Sequence, residues 1–119
     1  LADDEPAVRD VAKRALERAG YAVTACADGA EALDRFREEP GAYRAVVLDL
    51  TMPMLGGQDA LLAMRAIRPD IPAVLSSGFA SEELSPRVVA LDAVTFVQKP
   101  FAVHTLTAAI FEVSPPDAA

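Results

Sequence analysis

AVVLDLTMPMLGG, residues 45 to 57, decides how the rest of the chain is read. Its first half is a continuous apolar run of the kind buried on both faces of a parallel sheet, and the run ends on a single acid, Asp49. Pro53, Gly56 and Gly57 follow within eight residues and mark a loop. An acid that directly ends an apolar strand caps no helix, so it needs another reason to be there.

Outward from this stretch, helix and strand patterns alternate. Val8, Val11, Ala12, Ala15, Leu16 and Ala19 recur at helical spacing, with Pro6 suited to the first turn and Gly20 to the stop. YAVTAC (21–26) reads as a strand and Asp28-Gly29 as a turn. Ala30, Leu33 and Phe36 form the apolar side of a second helix that ends before Pro40-Gly41. On the other side, Leu61, Met64 and Ile67 mark a third helix stopping before Pro69, and PAVLSS (72–77) is another apolar strand. Ser85-Pro86 caps a short fourth helix through about Leu91 that carries Val88. VTFVQ (94–98) is a strand, and Val103, Leu106, Ile110 and Val113 line a last helix. Such alternation predicts an α/β domain with a parallel sheet, right-handed crossovers and helices on both faces.

At 119 residues and 12.6 kDa the chain holds one domain with a real core. Apolar residues make up 52%, yet no run approaches the ~18 that a membrane span needs, so a soluble domain is expected. A net charge of −7 without clustered Lys and Arg argues against a nucleic-acid partner. The single cysteine, Cys26, reads as a small buried strand residue in a reducing compartment. The chain opens on Leu1 and Ala2 without a signal sequence, and reads as a piece of something longer.

In a parallel α/β sheet, ligands gather beyond the carboxyl ends of the strands. Asp3 and Asp4 follow the remnant of a first strand, Asp49 ends the third, Ser77 ends the fourth, and Lys99 follows the fifth. From Asp4 onward the separations are 45, 28 and 22 residues, each about one strand-helix-strand repeat, so all can converge on one sheet edge. Three carboxylates gathered there repel one another unless a divalent cation and the Lys99 ammonium offset them. Oxygen-only donors favour Mg²⁺ beside a phosphate. An aspartate can itself take a phosphoryl group as an acyl phosphate, with cations on the equatorial oxygens lowering the barrier. Asp49 therefore reads as a phosphoacceptor, served by Mg²⁺, Lys99 and the Ser77 hydroxyl, in a loop that Pro53, Gly56 and Gly57 leave open.

Four motifs in order, LADDEP (1–6), VLDLTMPMLGG (47–57), VLSSG (74–78) and VQKPF (97–101), resemble receiver domains of two-component response regulators. The resemblance covers nearly the whole chain. It implies a flavodoxin-like (βα)5 three-layer sandwich with a five-stranded parallel sheet in the order 2-1-3-4-5. This domain would span residues 1–113, with upstream residues completing its first strand and 114–119 forming a tail or linker. Carried over by position, Asp49 is the phosphorylated aspartate, and Asp3, Asp4, Asp49 and the backbone carbonyl of Thr51 hold Mg²⁺ or Mn²⁺. Ser77 and Lys99 bind the phosphoryl oxygens, Phe96 is the aromatic switch residue, and the proline after Lys99 is usually cis. Thr51 and Phe79 are at positions that tune phosphoryl lifetime.

The implied phosphodonor is a histidine kinase or phosphotransfer domain. Phosphorylation would shift the face made by the fourth helix, fifth strand and fifth helix, a face that can also form a homodimer, before self-hydrolysis resets it. The domain would be a self-phosphorylating and self-dephosphorylating phosphoacceptor rather than a turnover enzyme. It would be cytoplasmic, without contact to nucleic acid or membrane, although its parent could be membrane-anchored. LSSGF, DLTMP and FVQKPF resemble receivers fused to hybrid sensor histidine kinases more than those preceding a DNA-binding module. Two departures stand out: LDAVTF lacks the family's Gly-Ala pair, and Pro86 interrupts the usual start of helix four, so that helix is expected short or displaced.

Two other functions compete. A pseudo-receiver would use the same fold as a constitutive interaction module. A phosphatase of the haloacid dehalogenase type would need an acid two positions after its nucleophile, where this chain has Thr51. His104 reads as a helix-surface residue, and Gly56-Gly57 lacks the following Lys-Ser or Lys-Thr of a nucleotide loop.

Overall fold

Runs of apolar residues unbroken by charge become the middle of the sheet. The computed structural model describes residues 1–78 and 84–114. In it β1 (Val46–Asp49) and β2 (Ala73–Ser77) are buried along their whole length. β3 (Val94–Gln98) lies parallel to β2, and the ladder order is β1-β2-β3. On the far side of β1, Ala2 bridges in parallel to both Leu48 and Cys26. The order of chain segments across the sheet is therefore Cys26, Ala2, β1, β2, β3, the expected 2-1-3-4-5.

The expected strand at 21–26 departs from this regularity, since only Cys26 makes a bridge. Among the described residues, Leu1, Ala2 and Asp3 run beside it. The Leu1 amino group donates to the Thr24 carbonyl, the Cys26 amide to Leu1 and the Asp3 amide to Cys26. Among the described residues the sheet thus has three full strands and two single bridges.

Strand alternation divides the core into two layers. Val46, Leu48, Ala73 and Leu75 pack with Phe36 of α2 (Gly29–Glu38) and Leu61 and Met64 of α3 (Gly57–Ile67). Val47, Val74 and Val97 pack with Ala12 and Leu16 of α1 (Pro6–Arg18) and Leu106 and Ile110 of α5 (Val103–Val113). By the same alternation Asp49 belongs to the α1 and α5 side. Val11, Ile67 and Val103, which the spacing puts in apolar stripes, are exposed instead. On α1 and α5 the strip against the sheet is filled by Ala12, Ala15 and Leu16 and by Leu106, Ala109 and Ile110.

Local chemistry sets the ends. The Asp28 carboxylate accepts the Glu31 amide at 2.8 Å and caps α2, and Gly20 takes φ 101 after α1. The helix expected through about Leu91 is a single turn, α4 (Pro86–Val89), capped by the Ser85 hydroxyl on the Arg87 amide and anchored by buried Val88. Before β3, in the LDAVTF segment that lacks the family's Gly-Ala pair, Ala93 adopts φ 52. The buried Arg65 guanidinium holds this turn, donating to the carbonyls of Pro69, Ile71 and Asp92 and to the Asp92 carboxylate. Among the described residues no helix is long and apolar enough to cross a membrane.

Candidate functional site

The chain leaves the sheet directly after Ala2, so Asp3 and Asp4 fall beside the end of β1. Asp3 is buried; its Oδ1 accepts the Glu5 amide at 2.9 Å, and its carbonyl accepts Arg9 Nη1 at 2.8 Å. These bonds fix the loop and aim Oδ2 at Lys99 Nζ, 2.7 Å away. Asp49 ends β1 with Oδ1 accepting the Thr51 amide at 3.3 Å and Oδ2 accepting Lys99 Nζ at 3.1 Å. Asp4 is exposed, yet one carboxylate oxygen from each of Asp3, Asp4 and Asp49 lies within 4.8 Å of the others.

Lys99 arrives from the other side of the sheet. Its amide donates to the Ser77 carbonyl at 2.7 Å, which continues the β2–β3 ladder by one residue and sets the start of its side chain. The following bond to Pro100 is cis. Nζ also lies 3.6 Å from Glu5 Oε1, so three carboxylates surround one ammonium.

Burial pushes the Asp49 pKa up, and the Lys99 ammonium and Thr51 amide offset only part of that rise. For Lys99 burial alone would lower the pKa; the hydrogen bonds and charges of Asp3 and Asp49 together outweigh it and hold the ammonium above its ordinary value. Lys99 is thus a fixed cation, and Asp49 a carboxylate in a place unfavourable to its own charge. A second cation beside it would relieve that cost.

Asp3, Asp4, Asp49 and Lys99 converge as the strand-end spacing predicts, and the Thr51 amide donates to Asp49 Oδ1. Ser77 is fully buried at the end of β2, one residue beyond Ser76, the register partner of Asp49. Phe96 sits opposite Leu75 in β3 and is partly exposed, one strand removed from the acids. His104 is on the surface and Cys26 is buried. Phe79 and residues 115–119 of the expected tail lie outside the described residues.

One expectation is corrected. The Asp49 side chain is only 5% exposed, not open, and the Lys99 ammonium stands 3.1 Å from its Oδ2. The glycines act by close approach rather than by loosening the loop. A Cβ on Gly57 would lie 2.5 Å from the Asp49 carbonyl oxygen, and one on Gly29 would lie 2.0 Å from that of Leu55. The loop after Asp49 is therefore pinned between β1 and the start of α2.

Sequence reasoning missed Glu5 and Arg9. A long cation one helical turn into α1 is a position from which a side chain can fold back onto the Asp3 loop, and that spacing was the available signal. The all-oxygen donor set of three carboxylates suits a hard divalent cation such as Mg²⁺, which shares its shell with waters and phosphate. Together with Lys99 it forms a place where a phosphoryl group on Asp49 would meet positive charge.

Comparison with known proteins agrees with this chemistry. The profile of the response regulator receiver domain family matches residues 1–111. The chain is 35% identical over 113 residues to the sensor kinase CckA of Brucella abortus, covering 95% of the chain and 12% of that protein. It is 37% identical over 110 residues to the response regulator MprA of Mycolicibacterium vanbaalenii, covering 91% of the chain and 46% of that protein. The chain thus spans less than half the length of these curated relatives. Among solved structures it is similar to a response regulator receiver protein of Sinorhizobium medicae, with TM-score 0.84 and 28% identity, covering 97% of the chain and 91% of that one. The receiver domain of the hybrid histidine kinase CckA gives TM-score 0.79 and 32% identity, covering 94% of each chain. TrrA of Thermotoga maritima, solved in complex with Mg²⁺-BeF, gives TM-score 0.82 and 28% identity, again covering 94% of each chain.

Proposed function

We propose, from the premise that this chain belongs to the response regulator receiver domain family, that Asp49 is the residue on which it carries a phosphoryl group in two-component signalling. The observation that carries the assignment is the buried Asp49 carboxylate at the end of β1, with the Lys99 ammonium 3.1 Å from Oδ2 and oxygens of Asp3 and Asp4 within 4.8 Å.

The Asp49 carboxylate attacks phosphorus in a phosphohistidine of the donor. The P–N bond breaks, its electron pair stays on the imidazole nitrogen, and an acyl phosphate forms on Asp49. Lys99 already neighbours the carboxylate, so it meets the added negative charge from where it stands. The Ser77 hydroxyl, at the end of the adjacent strand, donates to a second phosphoryl oxygen. Asp3, Asp4, Asp49 and the Thr51 carbonyl would hold a divalent cation, Mg²⁺ or Mn²⁺, which would add charge neutralisation for the phosphoryl group. Reset occurs when water attacks phosphorus, the bond to the Asp49 oxygen breaks, and inorganic phosphate leaves the free carboxylate behind.

Receiver domains of this kind work with histidine kinases or phosphotransfer partners. The similarity to CckA supports a hybrid sensor kinase as the parent of this one, with residues 1–113 as the receiver. Output through the face of α4, β3 and α5, as a homodimer or with another partner, is supported by exposed Val89, Phe96, Val103 and Phe111. The test is intact mass after incubation with acetyl phosphate, with and without Mg²⁺, beside an Asp49→Asn variant. A Mg²⁺-dependent gain of about 80 Da that the variant lacks is expected. Equal masses under all conditions would overturn the assignment and leave a phosphorylation-independent interaction module.

A further inference from the structure

We infer that Gln58 is a positioning residue that ties the loop after Asp49 to the start of α4, so that the state of Asp49 reaches α4 through the hydrogen bond between the Gln58 side chain and the Ser85 amide. The inference rests on Asp49 as the phosphoacceptor and goes beyond it to the route by which phosphorylation is read out.

Gln58 Oε1 accepts the Ser85 amide at 2.6 Å, in a partly buried contact between residues 27 apart in sequence. A backbone amide only donates, so the carboxamide must present its oxygen here. Ser85 in turn organises α4. Its hydroxyl accepts the Arg87 amide, and its carbonyl accepts the amides of Val88 and Val89, each at 3.0 Å. A helix of four residues is too short to persist by its own hydrogen bonds and depends on what holds it from outside. Among the described residues it is held by the burial of Val88, by Leu84 and Leu91 packed against the same core, and by the bond from Gln58.

At the other end Gln58 is the second residue of α3, next to Gly57. The Gly57 amide donates to the Leu50 carbonyl at 3.3 Å, and its Cα faces the Asp49 carbonyl so closely that a Cβ does not fit. The backbone of Asp49 and the first turn of α3 are therefore in direct contact. A shift of that backbone displaces Gln58 one residue away, and Gln58 holds the amide on which α4 is hung.

The experiment is amide hydrogen exchange and chemical-shift mapping by NMR on the 119-residue chain, alone and with beryllofluoride plus Mg²⁺ as the phosphoryl stand-in. Gln58→Leu deletes the acceptor; Gln58→Glu keeps it. Without beryllofluoride, the Ser85 amide should exchange roughly three- to tenfold faster in Gln58→Leu and near the wild-type rate in Gln58→Glu. With it, the wild type and Gln58→Glu should shift both around Asp49 and from Ser85 to Leu91, while Gln58→Leu shifts around Asp49 only. Equal α4 shifts in Gln58→Leu and the wild type would overturn this inference alone. No shift around Asp49 in the wild type would overturn the reading of the site, and this inference with it.

Discussion

Replacing Lys99 with methionine keeps most of the side-chain volume and removes the cation that pairs with both Asp3 and Asp49. Both carboxylates are 5% exposed and Lys99 is 11% exposed, so the variant holds two buried anions with no ammonium between them. Removing one partner of a buried ion pair costs about 3–5 kcal/mol. Exposed Asp4 beside the pair lets water approach, which places the expected loss at the lower end, about 3 kcal/mol. For a chain of this length that is roughly 10–15 °C in Tm. The assay is urea unfolding followed by circular dichroism at pH 7 in EDTA, with the slope of the transition unchanged so that the midpoint reports stability. A loss below about 1 kcal/mol, the range of solvent-exposed pairs, would refute the reasoning, because the carboxylates would then be hydrated without Lys99. Saturating Mg²⁺ should restore more stability to the variant than it adds to the wild type, since the dication then stands alone against three carboxylates. The sign with pH also follows. The Lys99 pKa is raised in the fold, so its contribution is fully present below the ordinary lysine value of 10.5 and is lost as pH rises through the folded-state value. The wild-type and variant stabilities should converge in that alkaline range, and the gap should also narrow as pH falls and Asp49 takes up a proton.

Asp49→Asn should be more stable than the wild type at pH 7, because burial raises the Asp49 pKa and the ionised carboxylate is held at a cost. Urea midpoints taken down the pH scale should show the gap closing as pH falls through the Asp49 folded-state pKa, where the wild type takes up a proton; a gap that widens would contradict the burial argument. Gly57→Ala would push a methyl into the Asp49 carbonyl, and denaturant unfolding should register a loss of about 1–3 kcal/mol. Ala93→Gly relieves a left-handed residue at φ 52, and the same measurement should show a gain of about 0.5–1 kcal/mol once the greater freedom of glycine in the unfolded chain is subtracted.

The alternation of apolar runs with helical periods, and the acids and lysine placed one repeat apart, were legible in the sequence by itself. In a parallel sheet every strand points the same way, so residues that end successive strands share an edge however far apart they are numbered. That rule alone brings Asp3, Asp4, Asp49 and Lys99 together. Tertiary structure alone decided the rest. It buried Asp49 beside Lys99 where the loop composition suggested an open site. Of two apolar stripes it left Val11 and Val103 in solvent, because the sheet accepts only a narrow strip of each helix. Among the described residues it left 21–26 with one bridge, at Cys26. It also joined Arg9 to the Asp3 carbonyl, Arg65 to the turn before β3 and Gln58 to Ser85. Periodicity encodes which face of an element is buried. The reach of one long side chain to a backbone group on another element has no period, and it exists only once the elements have packed.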